Sequence, residues 1–140
     1  MSFDWSEYVD VAQELATQAK SNSPYQEAKQ RASMSRAYYA VFGKARDHLR
    51  RYDKIREPNP LVDSNGTRIN IHAYVREQFK NSAEADHQEI GLALERMIKY
   101  RNAADYDLTN VVLNNLPFTT QANLMWAKDV LERLKRIQKR

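Results

Sequence analysis

The chain has 140 residues, 42% of them hydrophobic, so it can bury one core and is predicted to form a single domain over residues 1–140. No apolar run approaches the roughly 18 residues that a membrane span needs, and no basic segment precedes an apolar one near the start, so neither a membrane span nor a secretory signal is expected. With no cysteine there is no disulfide or thiolate metal site, and we expect a cytoplasmic protein without a membrane partner.

Basic residues are concentrated in one part of the chain. The formal net charge is +4, and residues 25–57 hold nine Lys and Arg against four Asp and Glu. Residues 83–107, by contrast, carry more acidic than basic side chains. A basic stripe of this kind suits a phosphate-rich ligand or self-association through the acidic segment, and it is also typical of a solvated helix face.

Helical periodicity runs through the sequence, which has only three glycines and four prolines and shows no clear alternation of polar and apolar residues. A first helix is predicted to begin near Asp4, which would act as its N-cap, with Glu7 completing a capping box. The polar residues 21–23 are expected to stop this helix.

The second predicted helix organises the chain and extends from Tyr25 to Arg56. Ser23 is expected to cap it, with Pro24 at its first position, where the missing N–H costs nothing. Pro58 and Pro60 then break the chain, and residues 57–69 are predicted to form an irregular loop with a turn at 63–66. Apolar and small residues recur along this helix in steps of three and four, at Ala28, Ala32, Ser35, Tyr38, Tyr39, Phe42, Ala45, Leu49 and Tyr52.

Three further helices complete the predicted fold. Asn70 can cap a short third helix from Ile71 to about Asn81, and a fourth is predicted from about Glu84 to Asn102. A fifth is predicted to begin at Thr119 or Thr120. Four substantial helices and one short one indicate an all-α fold, an up-and-down four-helix bundle with one additional short helix.

Two short segments carry the strongest signal of function. The first is Ser-Arg-Ala-Tyr-Tyr-Ala-Val-Phe at residues 35–42, and the second is Arg-Asn-Ala-Ala-Asp-Tyr-Asp at residues 101–107. Together, on the second helix and at the end of the fourth, they resemble the motifs of HEPN domains (higher eukaryotes and prokaryotes nucleotide-binding). His72 and Gly91 also lie where the stand-alone bacterial branch often has His and Gly. The resemblance covers nearly the whole chain in helix order.

The resemblance implies a helical bundle that forms a homodimer, in which the second motifs of two subunits line a shared cleft. Many relatives are metal-independent endoribonucleases, often toxins that a small nucleotidyltransferase partner neutralises. Their motif is Arg, a polar residue, a few variable positions and then His. Here Asp105 or Tyr106 replaces that His, as in relatives of this branch with an Ala-Asp-Tyr ending, and Gly43 replaces the His that often follows the Phe. Glycine inside a helix costs about 0.5–1 kcal/mol relative to alanine, so either another backbone passes close to Gly43 or the position is simply tolerated.

The candidate catalytic residues are Arg101, Asn102 and Tyr106. The planar guanidinium of Arg101 can hold a phosphate bidentately, and Asn102 can orient a phosphate oxygen or a 2′-hydroxyl. Tyr106, with a reference pKa of about 10, is a poor base and at best a hydrogen-bond donor. The candidate ligand-binding residues are Arg36, Tyr39, Arg101, Asn102 and Asp105. The three histidines, His48, His72 and His87, lie outside the motif, although any of them could contribute from elsewhere in the chain.

We therefore expect a dimeric HEPN-like module that binds RNA, a nucleotide phosphate or a partner protein at a cleft centred on Arg101. The alternative is a metal-independent endoribonuclease of a toxin–antitoxin system, paired with a nucleotidyltransferase. The motif residues also fit a purely structural role, since Asn102 suits a helix C-cap and Asp105 can pair with Arg101. No glycine-rich phosphate loop, histidine pair at metal spacing or nucleophile motif is present, so neither a metal nor a cofactor is expected.

Overall fold

A computed structural model describes residues 3–19, 23–107 and 114–139. These residues form five helices, namely α1 (Glu7–Gln18), α2 (Gln26–Arg51), α3 (Ile71–Lys80), α4 (Ala85–Tyr106) and α5 (Leu116–Gln138). Within these ranges there is no strand, only an isolated bridge between Val62 and Arg68. The prediction of an all-α chain is confirmed. No helix in the described ranges has both the length and the apolar character that crossing a membrane requires.

The central element is α2, which packs against each of the other four helices. Its buried face combines small side chains with large ones, so that neighbouring helices approach closely where α2 carries Ala or Ser. Tyr38 and Phe42, predicted from the periodicity to face inward, are both buried. The side chains that fill the core around them from α3, α4 and α5 are Val75, Phe79, Ile90, Leu94, Met97, Leu124, Val130 and Leu134.

Both ends of α2 differ from the prediction. The helix ends at Arg51 rather than Arg56, because Lys54 adopts a left-handed φ of 57° and the Ile55 N–H donates to the Leu49 carbonyl at 2.8 Å. This arrangement satisfies a last-turn carbonyl without the glycine that usually marks such an end. At the other end Tyr25 has a φ of 59° and the helix begins at Gln26, so neither the Ser23 side chain nor Pro24 takes the predicted position.

The starts of α1 and α3 show one wrong and one confirmed cap. Ser6, not Asp4, precedes the first residue of α1, and the Asp4 carboxylate instead accepts hydrogen bonds from Ser6 N–H at 3.0 Å and Ser6 O–H at 2.7 Å. At α3 the Asn70 side chain accepts from the His72 N–H at 2.7 Å, as predicted. The first helix ends at Gln18, and residues 21 and 22, which were expected to stop it, lie outside the described residues.

The loop after α2 contains the predicted turn. Asp63 Oδ1 accepts hydrogen bonds from the N–H groups of Asn65 at 2.8 Å and Thr67 at 3.0 Å, and Gly66 has a φ of 80°. Only a glycine takes that backbone conformation without strain, so the turn residues explain the turn.

The last two helices are longer than predicted. The fourth helix continues past Asn102 to Tyr106, so all of the second motif except Asp107 lies within α4, where only Arg101 and Asn102 were expected to be helical. The fifth begins at Leu116, three residues earlier than Thr119, because the Asn115 side chain caps it by accepting from Phe118 N–H at 3.2 Å.

Candidate functional site

Arg101 lies near the end of α4 and faces α2. Its Nη2 donates to the Tyr39 hydroxyl, its Nη1 donates to Asn102 Oδ1 at 2.8 Å, and its Nε lies 3.3 Å from Asp105 Oδ2. The guanidinium carbon also sits 5.0 Å from the centroid of the Tyr39 ring. Because the Arg101 side chain is only 16% exposed, groups of the same chain hold it in one orientation.

The outer side of Arg101 is covered by Asp105. One oxygen of this carboxylate faces Arg101 and also accepts from Ser35 O–H at 3.3 Å, so a residue of the first motif meets the second motif here. The Asp105 side chain is 30% exposed and Asn102 is exposed. Arg101 is thus paired with an anion that solvent can reach.

The end of α4 is held by an arginine from α2. Arg31 Nη1 lies within hydrogen-bonding distance of three carbonyl oxygens, those of Ala103 at 3.1 Å, Ala104 at 3.0 Å and Asp107 at 2.9 Å. The last carbonyls of a helix generally lack helical partners, although that of Ala103 also accepts from the Asp107 N–H at 2.9 Å. A positive charge there also complements the helix dipole. Ala103 and Ala104 are themselves buried against Met34. The helix therefore continues through the motif because α2 caps it.

A pocket of about 230 Å³ opens beside Tyr39. Its wall combines aromatic rings with two arginines, and its lining residues are Trp5, Tyr39, Phe42, Gly43, Arg46, Asp47, Arg50, Ile71 and His72. Arg101 is not among them, but it joins the pocket through the Tyr39 hydroxyl. Part of the pocket's positive charge is balanced, because Arg46 and Arg50 both bond to Glu57, Arg46 through two bonds of 2.6 and 2.8 Å.

His72 forms one side of this pocket. Its Nδ1 lies 2.7 Å from the Tyr38 hydroxyl, and its ring centroid is 4.2 Å from that of Phe42. Burial, followed by the positive charges of Arg101, Arg46 and Arg76, lowers the pKa of His72, so the neutral ring is favoured near pH 7. Burial raises the pKa of Tyr38, whose hydroxyl therefore stays protonated; it donates to Nδ1 or accepts from it according to the tautomer of His72.

The structure brings together four of the predicted site residues and leaves two apart. Tyr39, Arg101, Asn102 and Asp105 form one cluster, as described above. Arg36 lies outside it, with its guanidinium 5.4 Å from the Tyr8 ring. Tyr106, the last residue of α4, is 73% exposed. The sequence reasoning missed Trp5 and Arg46 as pocket residues, although the glycine inside a helix at position 43 signalled a close approach there.

Gly43 provides that close approach to Trp5. A Cβ at position 43 would overlap the Trp5 ring, so a side chain, rather than another backbone, requires the glycine. We expect Gly43→Ala to lower the free energy of unfolding by about 1–2 kcal/mol, because overpacking outweighs the gain in helix propensity. Urea unfolding measures this change. In a Trp5→Ala background the same substitution should stabilise the protein, and a loss there as well would contradict the assignment.

Glu57 makes the stability of this region depend on pH. Hydrogen bonding to Arg46, with a further bond to Arg50, lowers the pKa of Glu57 from 4.5 to about 2 despite partial burial. Its folded pKa lies below its unfolded value, so its contribution is present above pH 4.5 and is lost as the pH falls towards 2.

We expect Glu57→Gln to lower the free energy of unfolding at pH 7 by about 2 kcal/mol and by much less at about pH 3. Urea unfolding at the two pH values measures both differences. Hydrogen bonds from Ser6 and Lys44 lower the pKa of Asp4 to about 2. Asp4 therefore retains part of the protein's acid sensitivity in the variant. An equal loss at both pH values would contradict the role given to Glu57.

Comparison with known proteins identified no relative of the chain. No protein family matches the chain, and neither the curated proteins nor the solved structures gave a match. The resemblance to HEPN domains therefore rests on the two motifs and the order of the helices. The geometry around Arg101 is the basis for assigning a function.

Proposed function

We propose that this protein is a HEPN-like module, an up-and-down four-helix bundle with one additional short helix, that binds RNA or a nucleotide through its phosphate at Arg101. One observation carries the proposal. The motif arginine shares Tyr39 with a pocket whose wall is built from aromatic rings and arginines. Proteins that bind single-stranded RNA combine these two features, since bases stack on aromatic side chains and arginines hold the backbone.

The phosphate would be held by the planar fork of Arg101. Hydrogen bonds between a guanidinium and a phosphate are charge-assisted and bidentate, which favours arginine over lysine at such a position. In the unbound chain Asp105 takes the place of this anion, at 3.3 Å from Arg101 Nε. Because the Asp105 side chain is 30% exposed, a phosphate can displace it and turn it towards solvent.

The base would lie in the pocket against Trp5 and Phe42, which line it together with Tyr39. Stacking of one base on an aromatic side chain contributes about 1–3 kcal/mol and tolerates any base. The proposed site therefore has little sequence preference, and its affinity depends on salt because part of it is electrostatic.

Titration of a short labelled single-stranded RNA, followed by fluorescence anisotropy at about 50 and about 200 mM salt, tests the proposal. We expect binding at the lower salt and weaker binding at the higher. In a Trp126→Phe background the remaining indole, Trp5, should also lose fluorescence as the base stacks. Absence of binding at the lower salt would reject RNA and leave a partner protein, such as a nucleotidyltransferase, as the ligand of this surface.

Removing the Asp105 carboxylate is expected to strengthen RNA binding. In Asp105→Asn the competing anion is gone but an amide of the same shape remains, so we expect the dissociation constant to fall about 3–10-fold at low salt. The same anisotropy titration measures it. Asp47→Asn, at the pocket but not paired with Arg101, is the matched control for the change in charge, and an equal gain there would contradict a specific role for Asp105.

The second candidate function is a metal-independent endoribonuclease of a toxin–antitoxin pair. The observation that favours it is His72, a ring whose neutral form is favoured, in the wall of the pocket that Tyr39 joins to Arg101. In the tautomer whose Nδ1–H donates to the Tyr38 hydroxyl, Nε2 of this ring is free to take the 2′-hydroxyl proton that the motif itself has no histidine to accept. Cleavage of RNA by the pure protein, lost in His72→Gln, would support this candidate, and intact RNA after long incubation would reject it.

The homodimer that the HEPN resemblance implies is part of the proposal, with the second motifs of two subunits lining one cleft. Sedimentation equilibrium of the pure protein measures the oligomeric state directly. A monomer at all concentrations would reject the shared cleft, while the binding of RNA by a single chain would remain to be judged by the titration.

A further inference from the structure

A second cluster of titratable groups lies away from Arg101, where α2 ends and α4 begins. His48 belongs to the last turn of α2, Asp53 follows that helix, and His87 belongs to the first turn of α4. The Nε2 of His48 is 3.1 Å from Asp53 Oδ1, and the Nε2 of His87 is 3.0 Å from Asp53 Oδ2. Both rings are buried, His48 at 1% and His87 at 6% exposure. The cluster thus joins segments 34 residues apart around one carboxylate.

We propose that His48, Asp53 and His87 bind a divalent transition-metal ion, with zinc the best match to their chemistry. One ligand atom from each residue can be chosen so that all three lie within 4.8 Å of one another. Around a tetrahedral zinc ion with bonds of about 2.0–2.1 Å, ligand atoms are about 3.3 Å apart, so the ion needs only small side-chain movements. Two imidazole nitrogens and a carboxylate oxygen form a common zinc ligand set, and water takes the fourth position.

The groups behind the two imidazoles support this assignment. Glu84 Oε2 lies 2.7 Å from His87 Nδ1, at an angle outside hydrogen-bonding range, and the Gln138 amide lies 3.4 Å from His48 Nδ1. Histidines that bind zinc donate their other ring N–H to a carboxylate or carbonyl oxygen, which fixes the ring. Glu84 supplies such an oxygen, and Gln138 does so once its amide is turned, since the two ends of an amide are assigned rather than seen.

Every proton of the cluster is accounted for when the metal ion binds. Without the ion, the Nε2 atoms of His48 and His87 share hydrogens with the Asp53 carboxylate. The ion replaces those hydrogens, each neutral ring keeps one proton on Nδ1, and any excess proton passes to solvent. Asp53 is 25% exposed, so an ion can enter from its side. Because Gln138 belongs to α5, the loaded site would connect the end of α2, the start of α4 and the end of α5.

Titration of chelator-treated protein with Zn²⁺ alone, by isothermal calorimetry, tests the proposal. We expect one ion per chain and a rise in melting temperature on loading, because an ion that binds only the folded state stabilises it. Co²⁺ in place of zinc should give the visible absorption of a tetrahedral site.

Three variants locate the ion. Asp53→Asn should weaken Zn²⁺ binding at least about 100-fold, and Glu84→Gln, an exposed change that leaves the ligands in place, about 10–100-fold. His72→Gln removes the one histidine outside the cluster, since the chain has three, and should leave the affinity unchanged. No stoichiometric binding by the unaltered protein, or unchanged binding in both Asp53→Asn and Glu84→Gln, would overturn the proposal.

Discussion

Replacing Arg101 with lysine is expected to raise the dissociation constant for single-stranded RNA about 10–100-fold at low salt. Lysine keeps the positive charge but loses the planar fork that can hold two phosphate oxygens, and charge-assisted hydrogen bonds contribute about 1.5–3 kcal/mol each. It also cannot keep the contacts to Tyr39 and Asn102 that orient the arginine. The anisotropy titration measures the change.

The matched control is Arg36→Lys, the same substitution on α2 at an arginine that lies against Tyr8 and outside the cluster. We expect its affinity for RNA to stay within about twofold of the unaltered protein, because lysine preserves the general electrostatic term. If both variants bind RNA equally well, the chain attracts RNA through net charge alone and Arg101 has no special role.

Replacing Arg31 with methionine is expected to lower the free energy of unfolding by about 2–4 kcal/mol. Methionine fills much of the same volume but leaves the carbonyls of Ala103, Ala104 and Asp107 without the charged donor that lies 2.9–3.1 Å from them. Urea unfolding gives the overall loss. Amide hydrogen exchange should show the loss of protection concentrated in the last turn of α4. RNA binding should weaken because that turn adjoins Arg101 and Asn102 and keeps them in position.

Two comparisons make this second prediction specific. The free energy of unfolding of Arg31→Lys should lie between those of the methionine variant and the unaltered protein, because an ammonium group keeps the charge at the helix end but reaches fewer carbonyls. Arg36→Ala, an exposed change five residues further along α2, should lower the free energy of unfolding by at most about 1 kcal/mol. Uniform loss of exchange protection along α4 in Arg31→Met would contradict the view that Arg31 holds the last turn in particular.

The helices themselves could be predicted from the sequence, because their signals are local. From Ser35 to Leu49 the buried stripe of α2 follows from spacing, whereas Ala28 and Tyr52 of the same pattern are exposed. The Asn70 cap follows from one side chain and the next residues. The ends of α2 and α4 could not be predicted. Lys54 takes a conformation usually reserved for glycine, and α4 continues because Arg31, more than 70 residues earlier in the chain, bonds to its last carbonyls.

Part of the candidate site could likewise be predicted from the sequence, and part could not. The pairing of Arg101 with Asp105 is readable from their spacing of four on a helix, and Asn102 is adjacent. The meeting of Arg101 with Tyr39 depends on how α4 packs on α2, and only the motif resemblance placed the two in one site. Trp5 enters the pocket because it lies on Gly43, a contact between residues 38 positions apart for which the glycine was the single sequence signal.

The cluster of His48, Asp53 and His87 could not be predicted from the spacing of residues in the sequence. His48 and Asp53 are close in sequence, but His87 reaches them only through the contact between the end of α2 and the start of α4. No histidine pair in the sequence has the spacing of a metal motif. Such a site becomes visible only when packing has placed the ligands.

A double-mutant cycle on Asp105 and Arg101 tests the central claim, that a phosphate replaces Asp105 on the Arg101 guanidinium, most directly. The dissociation constant for RNA is measured for the unaltered protein, Asp105→Asn, Arg101→Gln and the double variant. The account predicts that Asp105→Asn strengthens binding about 3–10-fold when Arg101 is present and has little effect when the neutral glutamine stands there. An equal gain in both backgrounds would show that Asp105 acts through general charge, and that phosphate does not bind at Arg101.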